Sequence, residues 1–159
     1  MSGILLRDAV PGDEASIVSF VRALAEYEHL THQVQGTAED FRRALFGASP
    51  RVWAMIAERD GAPVGFALWF YNFSTFRGRP GLYVEDVFVA PAHRGQGVGR
   101  ALFHEMARRA VAEGCARMEW SVLDWNAPAI AFYRAIGAAG LDDWTVQRLE
   151  GETLHRFAE

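Results

Sequence analysis

The sequence contains no lysine: all 16 basic residues among its 159 are arginine. This absence excludes enzymes that form a Schiff base on lysine, and it excludes nucleotide-binding loops whose lysine holds a phosphate. The arginines are outnumbered by 20 acidic residues, which gives a net charge of −4 at pH 7. We therefore predict no nucleic-acid partner, since such proteins usually carry a clustered basic face, and a cationic small molecule suits the charge better.

Cysteine and long apolar runs are also scarce. Cys115 is the one cysteine, so it cannot form an internal disulfide, and a packed thiol is expected. His29 and His32 lack a third ligand in suitable spacing, and no metal site is predicted. The most apolar stretch, residues 62–71, is much shorter than the roughly 20 residues that span a bilayer, and no signal-peptide pattern opens the chain. We expect a cytoplasmic protein without a membrane partner.

Half of the residues are hydrophobic, which predicts one well-filled core and a single domain over residues 1–159. Apolar spacing and turn residues predict strands at 4–7, 52–59, 63–73, 82–89, 118–123, 144–149 and 152–157, and helices at 17–27, 37–45, 97–113 and 127–136. Asp60-Gly61 predicts a tight hairpin turn, and residues 72–81 are predicted as a long loop. This order indicates an α/β (α+β) fold, with a mixed sheet and helices on both faces.

A glycine-rich segment, Arg94-Gly95-Gln96-Gly97-Val98-Gly99, lies between a predicted strand and a predicted helix. Glycine lets a ligand approach the backbone, and a helix N-terminus offers unpaired N–H groups to an anion. These features predict a diphosphate site. The spacing does not fit the dinucleotide fingerprint, because residues 100 and 102 are arginine and leucine. A turn without a ligand is the alternative.

Two carboxylates, Glu85 and Asp86, interrupt an otherwise apolar strand. Side chains alternate across a strand, so one of the two should face the core side unless a bulge re-aims it. A buried unpaired charge costs several kcal/mol: removing one partner of a buried ion pair, for example, costs about 3–5 kcal/mol. This cost favours a functional role for the buried carboxylate. The alternative is that one carboxylate pairs with an arginine while the other is solvated.

A third motif, Trp125-Asn126-Ala127-Pro128, predicts the start of a helix, since Asn126 is a good N-cap and proline is tolerated in the first turn. Tyr133 lies on the second turn of this helix. Taken alone, a tyrosine there is an aromatic of the core with a solvated hydroxyl.

Together, Arg94-x-x-Gly97-x-Gly99 and the later Asn126-x-x-Ala129-x-x-Phe132-Tyr133 resemble the GNAT superfamily of N-acetyltransferases over nearly the whole chain. Glu26-Tyr27-Glu28, residues 74–79, Tyr83-Val84-Glu85-Asp86 and Asp124-Trp125-Asn126-Ala127-Pro128 are similar to its diamine branch, the spermidine/spermine and thialysine acetyltransferases. The resemblance implies a GNAT fold in which two parallel strands, here 82–89 and 118–123, splay apart to admit acetyl-CoA.

The resemblance also implies the roles of individual residues. Glu85 accepts the proton of the attacking amine, directly or through a water, and Tyr133 protonates the departing thiolate, without an acyl-enzyme. Tyr27, Glu28, Glu85 and Asp86 line the amine channel. Contacts with acetyl-CoA are implied for Val87, Phe88, Val89, Arg94, Gly95, Gln96, Gly97, Val98, Gly99, Arg100, Asn126, Ala129 and Tyr133.

The expected acceptor is a primary amine of a small diamine, polyamine or lysine-like amino acid. Arg77 and Arg79, expected near the entrance, favour an amino-acid-like diamine over a long polycation. Members of the branch commonly form homodimers, and the aromatic C-terminal segment around Trp144 suits a shared interface. A protein or peptide N-acetyltransferase and a catalytically silent acyl-CoA sensor are the alternatives. A nucleotide-binding oxidoreductase is disfavoured by the glycine spacing.

Overall fold

The computed structural model of the protein describes residues 3–159, and its framework is a five-stranded sheet in the order β1-β2-β3-β4-β5. The strands are β1 Leu5–Asp8, β2 Trp53–Arg59, β3 Ala62–Ser74, β4 Arg79–Val89 and β5 Arg117–Glu119. Strands β1 to β4 pair antiparallel with their neighbours, whereas β4 and β5 pair parallel. The predicted mixed sheet is confirmed.

The helices begin and end at residues with local capping signals. They are α1 Glu14–Tyr27, α2 Ala38–Phe46, α3 Val98–Ala112, α4 Ala127–Ala135 and α5 Gly151–Phe157. Thr37 and Asp40 form the predicted capping box at α2, each side chain bonding to the other residue's backbone N–H. Gly137, with a φ of 92°, ends α4 as predicted, because the left-handed conformation there favours glycine.

Helices cover both faces of the sheet. On one face, Ile17 and Phe20 of α1 pack in a buried cluster with Ile56, Phe66 and Phe88. The Phe20 and Phe66 rings stack with centroids 5.6 Å apart. On the other face, the apolar side of α3 is buried through Val98, Leu102, Phe103, Met106 and Ala110. The guanidinium of Arg109 on α3 lies over the buried Trp69 ring of β3, which fixes α3 to that face.

The predicted long loop over residues 72–81 is wrong. Strands β3 and β4 continue to Ser74 and Arg79, which pair with each other, and a four-residue turn joins them. The backbone N–H of Gly78 donates to the Ser74 carbonyl at 2.8 Å, and Gly78 has a φ of 62°. The turn-forming residues correctly predict where the chain reverses, but cross-strand pairing extends through Pro80, almost to the tip of the hairpin.

This hairpin places Arg77 and Arg79 at the far end of β4 from Glu85. Arg79 and Glu85 are six residues apart on the same strand, which separates them by about 20 Å at roughly 3.3 Å per residue. Arg77 lies farther along, in the turn. The two arginines therefore lie far along β4 from Glu85, and their effect on the choice of amine stays a prediction.

The predicted strand over residues 118–123 is too long, since β5 ends at Glu119. The two predicted C-terminal strands are wrong: residues 152–157 belong to α5, and residues 144–149 form no regular element. Short apolar segments fit a strand or a helix equally well by spacing, and the choice depends on whether a sheet edge is available. None of the described strands pairs with residues 144–149.

The chain divides into two units, of which the first extends to Ser121 and the second begins at Val122. The first unit contains the whole sheet with α1, α2 and α3, and the second contains α4 and α5. Over residues 3–159, no helix is both long enough and apolar enough to cross a membrane.

Candidate functional site

Strand β4 contains a β-bulge at Glu85. Leu68 of β3 pairs with Asp86 and the next residue, Trp69, pairs with Val84, so Glu85 has no partner in the β3–β4 ladder. A bulge bends its strand and increases the local twist. The bulge therefore accounts for two adjacent carboxylates in an apolar strand: Glu85 is exposed, while Asp86 is half-buried.

The same part of β4 is where the sheet opens. The parallel pairing with β5 covers three residue pairs and ends at Tyr83 with Glu119. Just beyond it, the Tyr83 hydroxyl and the Ser121 hydroxyl lie 2.9 Å apart. From Val84 to Val89, β4 pairs with β3 but with no other strand of the described chain, so one edge of its backbone has no strand partner, and the Val89 carbonyl accepts a hydrogen bond from Arg94 instead. The extra twist at Glu85 begins two residues after the last parallel pair, which explains why the strands diverge there.

Asp86 lies among other negative charges. Burial, followed by the charges of Glu85 and Glu28, raises the pKa of Asp86 to about 6. Burial also raises the pKa of Glu28 above its ordinary value. Neither Glu85 nor Asp86 forms a salt bridge with any residue in 3–159. These three residues, Glu28, Glu85 and Asp86, are called the carboxylate cluster below; a cation placed among them would relieve their mutual repulsion.

Tyr27 and Glu28 lie at the C-terminal end of α1. Tyr27 is the last helical residue and Glu28 caps the helix. The next residue, His29, has a φ of 60°, and Leu30 donates its backbone N–H to the Ala25 carbonyl at 2.8 Å. This arrangement turns the chain sharply away from the helix, as glycine usually does at such positions. Glu28 is thereby held half-buried at the helix end.

The glycine-rich loop lies between β4 and α3, where the sequence predicts it. Gly95 and Gly97 have φ values of 71° and 85°, and a Cβ on either would meet no atom within 4 Å, so the surface above them is open. Gly97 is the N-cap of α3 and supplies no side chain to cap it. The first N–H groups of a helix have no intrahelical acceptor. The start of α3 therefore presents uncapped amides to solvent, an arrangement that fits a diphosphate.

Arg94 anchors the loop to the sheet and to α1. Its Nε donates to the Val89 carbonyl at 2.9 Å. The guanidinium carbon lies 5.1 Å from the centre of the Tyr27 ring and 5.4 Å from that of Phe88. Arg94 thus connects the predicted coenzyme loop to the predicted amine channel.

One residue at this loop carried no signal in the sequence. The guanidinium of Arg59, at the end of β2, donates to the side-chain oxygen of Gln96, while the Gln96 amide nitrogen donates to the Ala92 carbonyl at 3.0 Å. Arg59 and Gln96 are 37 residues apart in the chain. The contact depends on sheet topology, which places the β2–β3 hairpin beside the end of β4.

The remaining predicted residues lie in the second unit. Asn126 caps α4, and its side-chain oxygen accepts the Ala129 N–H at 3.4 Å, so these two predicted coenzyme contacts are adjacent. Tyr133 lies on α4 half-buried, with its ring centre 5.8 Å from that of Phe132. The Tyr133 carbonyl accepts the Ala138 N–H at 2.9 Å, which closes the helix end.

Comparisons with known proteins agree with these features. The family described as Acetyltransferase (GNAT) matches residues 17–138. The thialysine N-epsilon-acetyltransferase of Bos taurus is 37% identical over 169 residues, covering 99% of each chain. The L-ornithine N5-acetyltransferase of Arabidopsis thaliana is 28% identical, covering 94% of this chain and 85% of that protein. An integron cassette protein of V. cholerae, 24% identical, has the same fold with a TM-score of 0.82, covering 100% of this chain and 99% of that one.

Proposed function

The chain belongs to the GNAT family of acetyltransferases, which use acetyl-CoA as cosubstrate, and we propose that it acetylates the side-chain amine of a small lysine-like amino acid or diamine. The observation that carries this proposal is the carboxylate cluster beside the open edge of β4. Thialysine and ornithine, named in two relatives, both carry a primary amine at the end of a side chain. Such an amine is a cation at neutral pH, and the carboxylate cluster would attract it.

The coenzyme supplies an acetyl group activated as a thioester. We assign its pantetheine arm to the edge of β4 at Val87, Phe88 and Val89, where no further strand of the described chain pairs, and its diphosphate to the loop from Gly95 to Arg100. A strand N–H would polarise the thioester carbonyl, as an oxyanion hole does. The resemblance to the family also assigns Asn126, Ala129 and Tyr133 to the coenzyme. The open surface above Gly95 and Gly97 supports this assignment.

The attacking amine must lose a proton, and the departing thiolate must gain one. We assign the first transfer to Glu85, directly or through a water, since it is exposed at the bulge and next to Asp86. Asp86 and Glu28 would hold the ammonium form before transfer. Tyr133 would protonate the thiolate. No acyl-enzyme is required; burial raises the pKa of Cys115, the opposite of what a thiolate nucleophile needs.

Steady-state kinetics of two variants test these roles. Tyr133→Phe should lower kcat at least about tenfold with little change in the affinity for acetyl-CoA, because the acid acts only when the thiolate departs. Glu85→Gln should lower kcat and raise the KM for the amine together. Glu39→Gln, an exposed carboxylate on α2 paired with Arg42, is the matched control and should leave both constants unchanged.

Two outcomes would contradict the assignment. An unchanged kcat at saturating substrates in Tyr133→Phe would remove that hydroxyl from the reaction. An effect of Glu85→Gln confined to acetyl-CoA binding would place this carboxylate outside the amine site.

We also propose that the protein acts as a homodimer. The C-terminal segment from Leu141 to Phe157 exposes several large apolar side chains, including Trp144 at 81% and Phe157 at 80%. The other members of this exposed apolar segment are Leu141, Val146, Leu149 and Leu154. Exposed apolar residues concentrated in one segment favour a protein partner, and a second copy of the chain is the partner we propose.

A further inference from the structure

The conformation of the glycine-rich loop depends on few contacts of its own. Residues 94–97 are exposed, and only Val98 at the start of α3 is buried. Gly95 and Gly97 have no side chains with which to pack. Two arginines hold the loop. Arg94, at its start, bonds to the Val89 carbonyl, and Arg59, outside the loop, bonds to the Gln96 side chain.

Arg59 is presented by a rigid element. It pairs with Ala62 across the β2–β3 hairpin, and the two turn residues Asp60 and Gly61 have φ values of 53° and 78°. Two residues with positive φ define the tight hairpin turn whose twist matches that of its strands. The position of the Arg59 backbone is therefore fixed by the sheet and does not depend on the loop that it contacts.

The placement of Arg59 does not favour folding stability. Its Nε is enclosed by protein and has no hydrogen-bond partner among residues 3–159. A buried donor without an acceptor destabilises the folded state. The one bond that the guanidinium makes, to Gln96, is exposed. Exposed bonds of this kind contribute little to stability, so the bond to Gln96 does not offset the cost of burying Nε. This imbalance favours a functional role for the contact with Gln96.

We propose that Arg59 is a positioning residue for the coenzyme: by holding the Gln96 side chain, it keeps residues 94–97 in the conformation that presents the amides of α3 to the diphosphate. This inference rests on the proposed function, since it requires that the loop bind acetyl-CoA. Gln96 is bonded on both sides, to Arg59 and to the Ala92 carbonyl, and so connects the hairpin to the start of the loop. A loop held in this way loses less conformational freedom when the coenzyme binds.

Calorimetric titration with coenzyme A tests the proposal without relying on turnover. Arg59→Met keeps the length of the side chain and removes its donors, and it should weaken coenzyme A binding about tenfold, because the loop must then be ordered when the coenzyme binds. Gln96→Ala should have the same effect, and the double variant should be no weaker than either single one. Arg59→Lys should recover part of the affinity, since an ammonium can still donate to Gln96.

Two further readouts separate positioning from a structural role. The melting temperature of Arg59→Met should equal or exceed that of the wild type, because the variant removes a buried donor that has no partner. The KM for the amine at saturating acetyl-CoA should stay within about twofold, a free-energy change below 0.5 kcal/mol. Arg42→Met, which removes one exposed positive charge of α2, is the matched control and should bind coenzyme A as the wild type does.

Several results would overturn the proposal. These are coenzyme A affinity within twofold of wild type in Arg59→Met, additive losses in the double variant, or equal weakening in Arg42→Met. Additive losses would mean that Arg59 acts on the phosphates independently of Gln96. A wild-type protein that fails to bind coenzyme A is a different result, because it contradicts the proposed function itself.

Discussion

At the scale of single residues, Asp86 is the side chain whose placement in the proposed amine site opposes stability. It pairs with Leu68 on the face covered by α1, next to two other carboxylates. Its pKa of about 6 means that the folded protein holds the proton more tightly than an unfolded chain does, where an aspartate titrates near its reference pKa of about 3.9. Ionisation of Asp86 therefore disfavours the folded state.

The pH dependence follows from the sign of this shift. At a pH below the pKa of the unfolded chain, the Asp86 carboxyl is protonated in both states and does not change the free energy of unfolding. As the pH rises from about 4 to about 6, the unfolded chain ionises more readily, and stability falls by up to about 3 kcal/mol, at 1.36 kcal/mol per pKa unit. Above pH 6 the full cost is present.

Asp86→Asn should therefore stabilise the protein at pH 7.5 by about 2 kcal/mol, discounted for the solvent that reaches a half-buried group. At pH 4 most of the gain should disappear. Urea unfolding of both proteins at the two pH values measures this difference, and the same variant should raise the KM for the amine. Equal stability of the two proteins at pH 7.5 would show that Asp86 bears no cost in the folded state.

The residues that sequence reasoning identified at the site are those with local motifs. Gly95 and Gly97 lie in the strand-to-helix turn that their motif predicts, and Asn126 caps α4 as predicted. The possible bulge at Glu85-Asp86 follows from side-chain alternation alone. Arg59 could not be found in this way, because nothing in its neighbourhood marks it and its contact with Gln96 exists only once the sheet has formed.

At the scale of elements, the antiparallel part of the sheet is tied to α1 by Arg7. This residue of β1 donates two hydrogen bonds to Asp13, at 2.7 and 2.9 Å, and one to Glu58 of β2 at 2.8 Å. Asp13 also accepts the Val10 N–H at 2.7 Å, and its pKa is lowered mainly by the Arg7 hydrogen bonds. The side chains of Asp13 and Glu58 are only 11% and 15% exposed.

Arg7→Met should destabilise the fold by about 2–3 kcal/mol, because it leaves two largely buried carboxylates without their partner. Arg43→Met removes an exposed ion pair within α2 and should cost no more than about 0.5 kcal/mol. Urea unfolding of the two variants at pH 7 measures the difference. Similar small losses in both would mean that the Arg7 network contributes no more than a surface pair.

Elements defined by local signals were predictable, and those defined by distant partners were not. Helix α2 begins at its capping box, and α3 and α4 end close to the predicted positions. By contrast, β5 is short because β4 diverges from it after Tyr83, which depends on a bulge in the other strand. Residues 144–149 have strand-like composition, but their conformation depends on finding an edge with which to pair.

At the scale of the whole molecule, the exposed apolar segment predicts self-association. Light scattering after gel filtration should give a mass near twice the chain mass of 17.7 kDa. Trp144→Ser combined with Phe157→Ser should shift the protein towards the monomer. Phe76→Ser is the matched control, since Phe76 is fully exposed in the β3–β4 turn, outside that segment. A monomeric wild type at micromolar concentration would contradict the proposed dimer.

The proposed function requires that acetyl-CoA be consumed only when a suitable amine is present. The most direct test incubates the wild-type protein and acetyl-CoA with thialysine, lysine, ornithine, spermidine or a simple monoamine, while free thiol is monitored and the product is analysed by mass spectrometry. Thiol release is expected with the lysine-like amino acids, at a kcat/KM at least about tenfold above the monoamine, because they carry a second ammonium group that the carboxylate cluster can bind besides the one that reacts. The acetyl group should be on the side-chain nitrogen. Coenzyme binding without thiol release for any of these amines would contradict the proposed function.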